Sequence, residues 1–249
     1  VSLCYEDVGD GPPVVLVHGW PLSLRFWEPQ IGPLVEAGHR VVCYDRRGFG
    51  GSSRPWRGYD LATFTADLAA LVESLDLTGL ALVGFSTGCA EAVGYAASSG
   101  RVARLVLASP VLYPDPLAHE LRGASLRYRL PMLDDLLLRF FAVGGHSTLD
   151  EPTRQYLLRH AADASPKATA DSLTAWSAAD PGPGLARVTV PTLILQGEQD
   201  AFVPLEDSGA RVARAIAGSS LVTIPDAPHG APLTHVEQWN ELLLEFLAR

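Results

Sequence analysis

No run of about 18 or more apolar residues occurs in this 249-residue sequence, so no segment is expected to cross a membrane as a helix. Positive charge is also short: the formal net charge is −9, without the basic footprint that nucleic-acid binding needs. Cysteine is scarce, and Cys4, Cys43 and Cys89 lie far apart, each in or beside an apolar segment. They read as buried free thiols of a reducing compartment, which places the protein in the cytoplasm. No Cys/His pair has ligand spacing, so neither a metal nor another cofactor is expected. The G-x-x-x-x-G-K-[ST] phosphate loop is missing, and Gly48-Phe49-Gly50-Gly51 lacks both its lysine and its strand–helix setting. Signal-peptide patterns, internal repeats and low-complexity tracts are missing too. What remains is 47% hydrophobic and 19% charged. Such a chain buries a substantial core and suits one α/β domain with an insertion better than two independent domains.

Strand-like and helix-like stretches alternate. Val14–Val17, Arg40–Tyr44, Leu80–Val83 and Val102–Ala108 are short apolar runs, with another strand from Ser2 to Val8. Residues 25–37 read as a helix interrupted by Pro29 and Pro33, and Leu61–Leu75 as a helix with Leu61, Phe64, Leu68, Leu71, Val72 and Leu75 on one face. Between 111 and 185 the strand signal stops. Helical segments take its place (Leu117–Arg129, Leu133–Phe141, Thr153–Ala162 and Lys167–Ala178), and Pro181-Gly182-Pro183-Gly184 closes the block. Alternation resumes with Pro191–Gly197, a helix near 206–217, a strand at Leu221–Ile224 and a last helix from about Thr234 to Leu247. The pattern implies a mostly parallel central sheet flanked by helices. Residues 1–110 and 186–249 form its core, and 111–185 form a helical cap inserted between core strands.

Gly84-Phe85-Ser86-Thr87-Gly88 sits between the apolar run Leu80–Val83 and a small-residue helix beginning near Cys89. In that strand–turn–helix context G-x-S-x-G forces its serine into a strained turn and presents Oγ at the strand's carboxyl end. Side chains at Gly84 and Gly88 would collide with the folded-back chain. A nucleophilic serine needs a base, and the base needs an acid that fixes its tautomer. Parallel sheets collect chemistry at strand carboxyl ends, where His18-Gly19-Trp20, Gly197-Glu198-Gln199-Asp200 and Asp226-Ala227-Pro228-His229 stand. With the acid before the histidine in the chain, His229 and His235 are the candidates beyond Asp200, the first in a loop and the second opening the last helix. Asp115 is a second topologically allowed acid, Asp226 reads as a turn residue, and His18 reads as a structural residue of its loop.

These segments together resemble the α/β-hydrolase superfamily, and within it the cofactor-free haloperoxidase-like (perhydrolase-like) serine esterases. The likeness is carried by five collinear blocks covering nearly the whole chain: His18–Ser23 with Trp27, Tyr44–Ser52, Gly84–Gly88, Gly197–Asp200 with Val203-Pro204, and Ala227–Gly230 with Thr234-His235. The resemblance implies an α/β-hydrolase fold with Ser86 as nucleophile, His229 as base and Asp200 as orienting acid. It further implies an oxyanion hole made by the main-chain N–H groups of Trp20 and Thr87, and a cis Trp20–Pro21 bond. Two departures stand out. Position 87 is Thr where that branch commonly has Met; only its N–H is needed, so the change bears on pocket shape. One further strand usually precedes the one containing Leu3 to Glu6, so an edge of the sheet is expected to be short.

The expected function is a cofactor-free serine hydrolase of small, fairly apolar carboxylic esters, with peracid formation as a related activity. Hydrolysis of C–N or C–C bonds (a lactamase, amidase or diketone hydrolase) is the alternative within enzymes, and a small-molecule receptor on the same fold is the alternative outside them. Trp27, Phe85, Phe202 and Val203 are the candidate pocket residues, core filling being the competing role for the aromatics. An apolar lid is expected from Leu133–Phe141. The partner is a small acyl substrate, neither nucleic acid nor a membrane; self-association is left open.

Overall fold

The computed structural model describes residues 1–114, 116–178 and 180–249. Its strands are β1 (Tyr5–Val8), β2 (Pro13–Val17), β3 (Arg40–Tyr44), β4 (Leu80–Phe85), β5 (Val102–Ala108), β6 (Ala142–Val143), β7 (His146–Ser147), β8 (Thr192–Gly197) and β9 (Ser220–Ile224). Seven of them form a sheet in the order β1-β3-β2-β4-β5-β8-β9. Only β1, at one edge, runs antiparallel to its neighbour; every other pairing in that sheet is parallel. Successive residues of a strand face opposite sides, so Val14 and Leu16 enter one core while Val15 and Val17 enter the other. Both faces are covered, which is why these strands read as unbroken apolar runs.

The helices are α1 (Glu28–Glu36), α2 (Leu61–Ser74), α3 (Gly88–Ala96), α4 (Pro116–Arg127), α5 (Arg129–Phe140), α6 (Glu151–Ala162), α7 (Pro166–Ser177), α8 (Gly182–Leu185), α9 (Gly209–Ala215), α10 (Ala231–Thr234) and α11 (Val236–Leu247). Leu34 of α1 and Trp239 and Leu243 of α11 pack on the Val14/Leu16 face. Leu68 of α2, Val93 of α3 and Val212 of α9 pack on the other. The chain leaves β2 toward β3 on one side, and leaves β4 toward β5 on the opposite side. The loops after β2 and β4 therefore part at the sheet's carboxyl edge, the place where open α/β sheets bind ligands. Helices α4 to α8 lie between β5 and β8 in the chain.

Three local differences from the sequence reading have simple causes. The helix expected over 25–37 is a 3-10 turn, Leu24–Trp27, followed by α1, because Pro29 lacks the N–H that would continue the first turn and suits the start of a new helix. The last helix, α11, starts at Val236, and a separate short helix, α10, precedes it because His235 (φ −126°, ψ 48°) leaves helical geometry between them. β6 and β7 make a two-residue hairpin through Gly144 and Gly145, both at positive φ, and two residues are too few to show any alternation. No helix among the described residues is long and apolar enough to cross a membrane.

Candidate active site

Ser86 follows β4 with φ +53°, a left-handed conformation that costs a non-glycine residue roughly 1–3 kcal/mol. Its surroundings enforce the turn. A Cβ on Gly84 would lie 2.8 Å from Cys89 Cα, and one on Gly88 would lie 2.6 Å from the His18 carbonyl oxygen, so neither position has room for a side chain. The Ser86 N–H donates to the Ala108 carbonyl at 2.8 Å, tying the turn to β5.

His229 arrives from the loop after β9. Its Nε2 is 3.0 Å from Ser86 Oγ, and its Nδ1 is 2.8 Å from Asp200 Oδ2, with both the His229 and Asp200 side chains fully buried. The Asp200 carboxylate is itself held: Oδ1 accepts from the N–H groups of Phe202 (3.1 Å) and Val203 (2.8 Å). With Asp200 accepting at Nδ1–H, the lone pair of Nε2 is left facing Ser86. Ser109 Oγ donates to the His229 carbonyl at 3.0 Å, and the Gly230 N–H donates to the Phe140 carbonyl at 2.8 Å, so β5 and α5 both pin this loop. Rings of Phe85, Phe140 and Phe202 surround the imidazole at centroid distances of 5.1, 4.8 and 4.9 Å.

Among the described residues, the other candidate histidines have other partners and the other candidate acid stands in a turn. Asp115 lies outside the described residues. Asp226 adopts φ +56° in the turn before His229. His235 bonds its neighbour, Nδ1 to Thr234 Oγ1 at 2.9 Å. His18 accepts at Nε2 from the Arg46 N–H (3.1 Å), and its Nδ1 is 2.8 Å from the Gly19 carbonyl, so it joins the loops after β2 and β3. Burial, reinforced by the Arg46 charge, pushes His18 down to about 3 and keeps the ring neutral.

Trp20 and Thr87 meet beside Ser86, but not simply as two free amides. The Trp20 N–H donates to Thr87 Oγ1 at 2.9 Å. The Thr87 N–H, at the start of α3, finds no protein acceptor among the described residues, as the first amides of a helix commonly do not. Trp20 is anchored by Nε1, which donates to the Thr169 carbonyl at 3.1 Å, and the Trp20–Pro21 bond is cis. Behind them lies a buried ion pair, Arg46 Nε to Glu91 Oε1 at 2.9 Å, with both side chains at zero exposure. Burial raises the Glu91 carboxyl to about 7, against the lowering pull of Arg46. In the same loop Arg47 pairs with Asp67, and Asp45 accepts from the N–H groups of Leu24 and Gly51, each at 2.7 Å.

A cavity of about 240 Å³ opens over Ser86. Phe202 and Val203 line it, as expected, and Trp27 and Phe85 do not. Those two point into the core beneath: Phe85 stacks on Phe26 at 4.3 Å, and Trp27 packs between Phe26 (5.0 Å) and Trp239 (5.8 Å). Phe85 ends β4, and its side chain joins the face that α1 and α11 cover. Of the expected Leu133–Phe141 lid, Phe140 reaches the cavity; Leu133, Leu136 and Leu137 go to the core. More of the apolar wall comes from the segment 111–114 after β5, from Leu117 and Leu121 of α4 and from Leu173 and Trp176 of α7, residues that sequence reasoning missed. For the helical ones the signal was the spacing of Leu117/Leu121 and Leu173/Trp176 in the inserted segment.

The chain is similar in sequence and fold to known proteins. A family model described as the alpha/beta hydrolase family matches residues 14–245. A bromoperoxidase crystal structure from Bacillus anthracis superposes with a TM-score of 0.95 at 43% identity, covering 99% of this chain and 95% of that one. A non-heme chloroperoxidase of Streptomyces lividans is 36% identical, and a bifunctional esterase/perhydrolase of Acinetobacter calcoaceticus is 35% identical; each alignment covers 99% of this chain and 96% of the relative.

Proposed function

Because the chain belongs to the alpha/beta hydrolase family, we propose that it is a serine hydrolase that cleaves small, fairly apolar carboxylic esters through an acyl-enzyme on Ser86. The observation that carries this reading is the unbroken line Ser86 Oγ–His229 Nε2 (3.0 Å) and His229 Nδ1–Asp200 Oδ2 (2.8 Å) at the floor of a cavity. Ser86 attacks the ester carbonyl while His229 takes its proton, and Asp200 stabilises the imidazolium that results. Negative charge then develops on the former carbonyl oxygen beside the Thr87 amide and the Trp20–Thr87 contact. Hydrogen-bond donors aimed at such an oxygen are each worth ~10²–10³ in rate. His229 returns its proton to the leaving alcohol, and the acyl group stays on Ser86. Water attacking that acyl-enzyme yields the carboxylic acid.

Hydrogen peroxide in place of water would yield a peracid by the same steps. That second reading is favoured by the bifunctional esterase/perhydrolase among the relatives. The cavity, about 240 Å³ with a largely apolar wall, is below the usual size of a drug-sized site and suits short acyl groups.

Hydrolysis of para-nitrophenyl esters from acetate to decanoate tests the proposal. Turnover is expected to be highest at the short end and to fall at least ~10³-fold in Ser86→Ala, which leaves only what binding and the oxyanion hole supply. A Ser86→Ala variant keeping more than a tenth of the activity refutes the nucleophile. Activity that rises steadily through the long chains refutes the small pocket.

A further inference from the structure

The Trp20 N–H, expected to face the substrate oxygen, is spent on Thr87 Oγ1 at 2.9 Å. The same oxygen lies 3.3 Å from Arg46 Nη1. A threonine hydroxyl has two lone pairs and one proton. With both lone pairs taken by N–H donors, the proton must be given elsewhere. The Thr87 side chain caps no helix amide, donates to no protein acceptor among the described residues, and borders the cavity.

We propose that the Thr87 hydroxyl is the second direct oxyanion donor, beside the Thr87 N–H, polarised from behind by Trp20 and by the buried Arg46 guanidinium. This rests on the acyl-transfer reading of Ser86. When Ser86 Oγ bonds to the carbonyl carbon, the π electrons move to the carbonyl oxygen, and that oxygen accepts from the Thr87 N–H and the Thr87 O–H. The Trp20 N–H then acts through Thr87 Oγ1 rather than directly. Donors that feed a hydroxyl oxygen make its proton a better donor, and the effect grows where water is excluded. Thr87 is 6% exposed.

The placement of Arg46 agrees with this role. Glu91 engages Nε, with Tyr44 donating to the same Oε1 at 3.3 Å, so the ion pair does not use Nη1. The guanidinium is held over the rings of Phe64 (4.4 Å) and Trp176 (5.3 Å), the latter also a cavity wall, and this directs Nη1 at Thr87. A full positive charge thus stands one hydroxyl away from where negative charge develops. Thr87 would be a catalytic residue and Arg46 a positioning residue behind it.

Three variants of the full chain test the assignment with para-nitrophenyl acetate and with phenylboronic acid, whose tetrahedral serine adduct mimics the intermediate. Thr87→Ser keeps the hydroxyl and should stay within about threefold of wild type. Thr87→Val keeps the shape, and Thr87→Ala avoids a buried branched group. Both should lose ~10²-fold in kcat with KM changed less than threefold, and boronate affinity should fall in parallel. A Thr87→Val or Thr87→Ala enzyme as fast as wild type, or faster, overturns the proposal and makes the hydroxyl a plug. So does a Thr87→Ser variant as slow as Thr87→Val, which would mean that the methyl group matters. Absence of both turnover and boronate binding in wild type would instead refute the acyl-transfer reading, and the donor assignment with it.

Discussion

The strand-end loops that carry Ser86, His229 and Asp200 are held by hydrogen bonds and close backbone approach, whereas α4, α5 and α7 border the same cavity with apolar side chains. In the loops key polar groups are held by named partners: Asp200 accepts two amides, His18 bridges two loops, and Asp45 holds the N–H groups of Leu24 and Gly51. Directional contacts of this kind fix positions to fractions of an ångström, and removing one partner leaves a buried polar group exposed to the full desolvation cost. Leu121, Leu173 and Trp176 make non-directional contacts, which tolerate volume-conserving exchange. Under the proposed function, chemistry and selectivity are carried by different parts of the fold.

The largest effect that should separate the two regions is in the loops. Asp200→Asn keeps the volume but offers His229 the wrong tautomer, so kcat should fall by ~10³–10⁴ with little change in KM. Steady-state kinetics on a short ester checks this, and an undiminished rate would remove Asp200 from the triad. In α4 the effect should be smaller and of another kind. Leu121→Ala enlarges the apolar wall without touching the strand-end loops. The ratio of kcat/KM for octanoate over acetate should rise about tenfold while acetate turnover stays within threefold. A fall in acetate turnover at an unchanged ratio would mean that α4 supports the chemistry itself.

The smallest effect concerns pH. His18 has a folded pKa of about 3, depressed below the ordinary histidine value. The unfolded chain therefore binds this proton more readily. The stability that His18 contributes is fully present above about pH 6.5 and is lost as pH falls from there through about 3, at up to ~1.4 kcal/mol per pH unit. His18→Gln keeps a donor and an acceptor without titrating, so its unfolding free energy should lack that slope. Urea unfolding at several pH values decides it, and parallel curves for the two proteins would contradict the assignment.

The sheet was legible in the sequence because strands covered on both faces must be apolar throughout, and Val14–Val17 or Leu80–Val83 admit few other readings. The three polar residues at its carboxyl edge were legible because a glycine-flanked serine and strand-end Asp and His have few structural reasons to occur in that order. Orientation was harder to read. Phe85 ends a strand buried on both faces, and nothing local tells which face it joins. Helical spacing marks Leu121, Leu173 and Trp176 as apolar-face residues of α4 and α7, but which cavity those faces border depends on how the helices dock. The Trp20–Thr87 bond joins residues 67 positions apart and Arg46 adds a third segment, so the polar network behind Thr87 exists only in three dimensions.

The central claim is that Ser86 is a nucleophile activated by His229. Its most direct measurement is reaction with a fluorophosphonate followed by intact-protein and peptide mass spectrometry. One adduct per chain is expected, on the peptide containing Ser86, with none in Ser86→Ala and a rate lowered at least ~10³-fold in His229→Ala. An unlabelled wild-type protein, an adduct on a different residue, or equal labelling rates with and without His229 would contradict it.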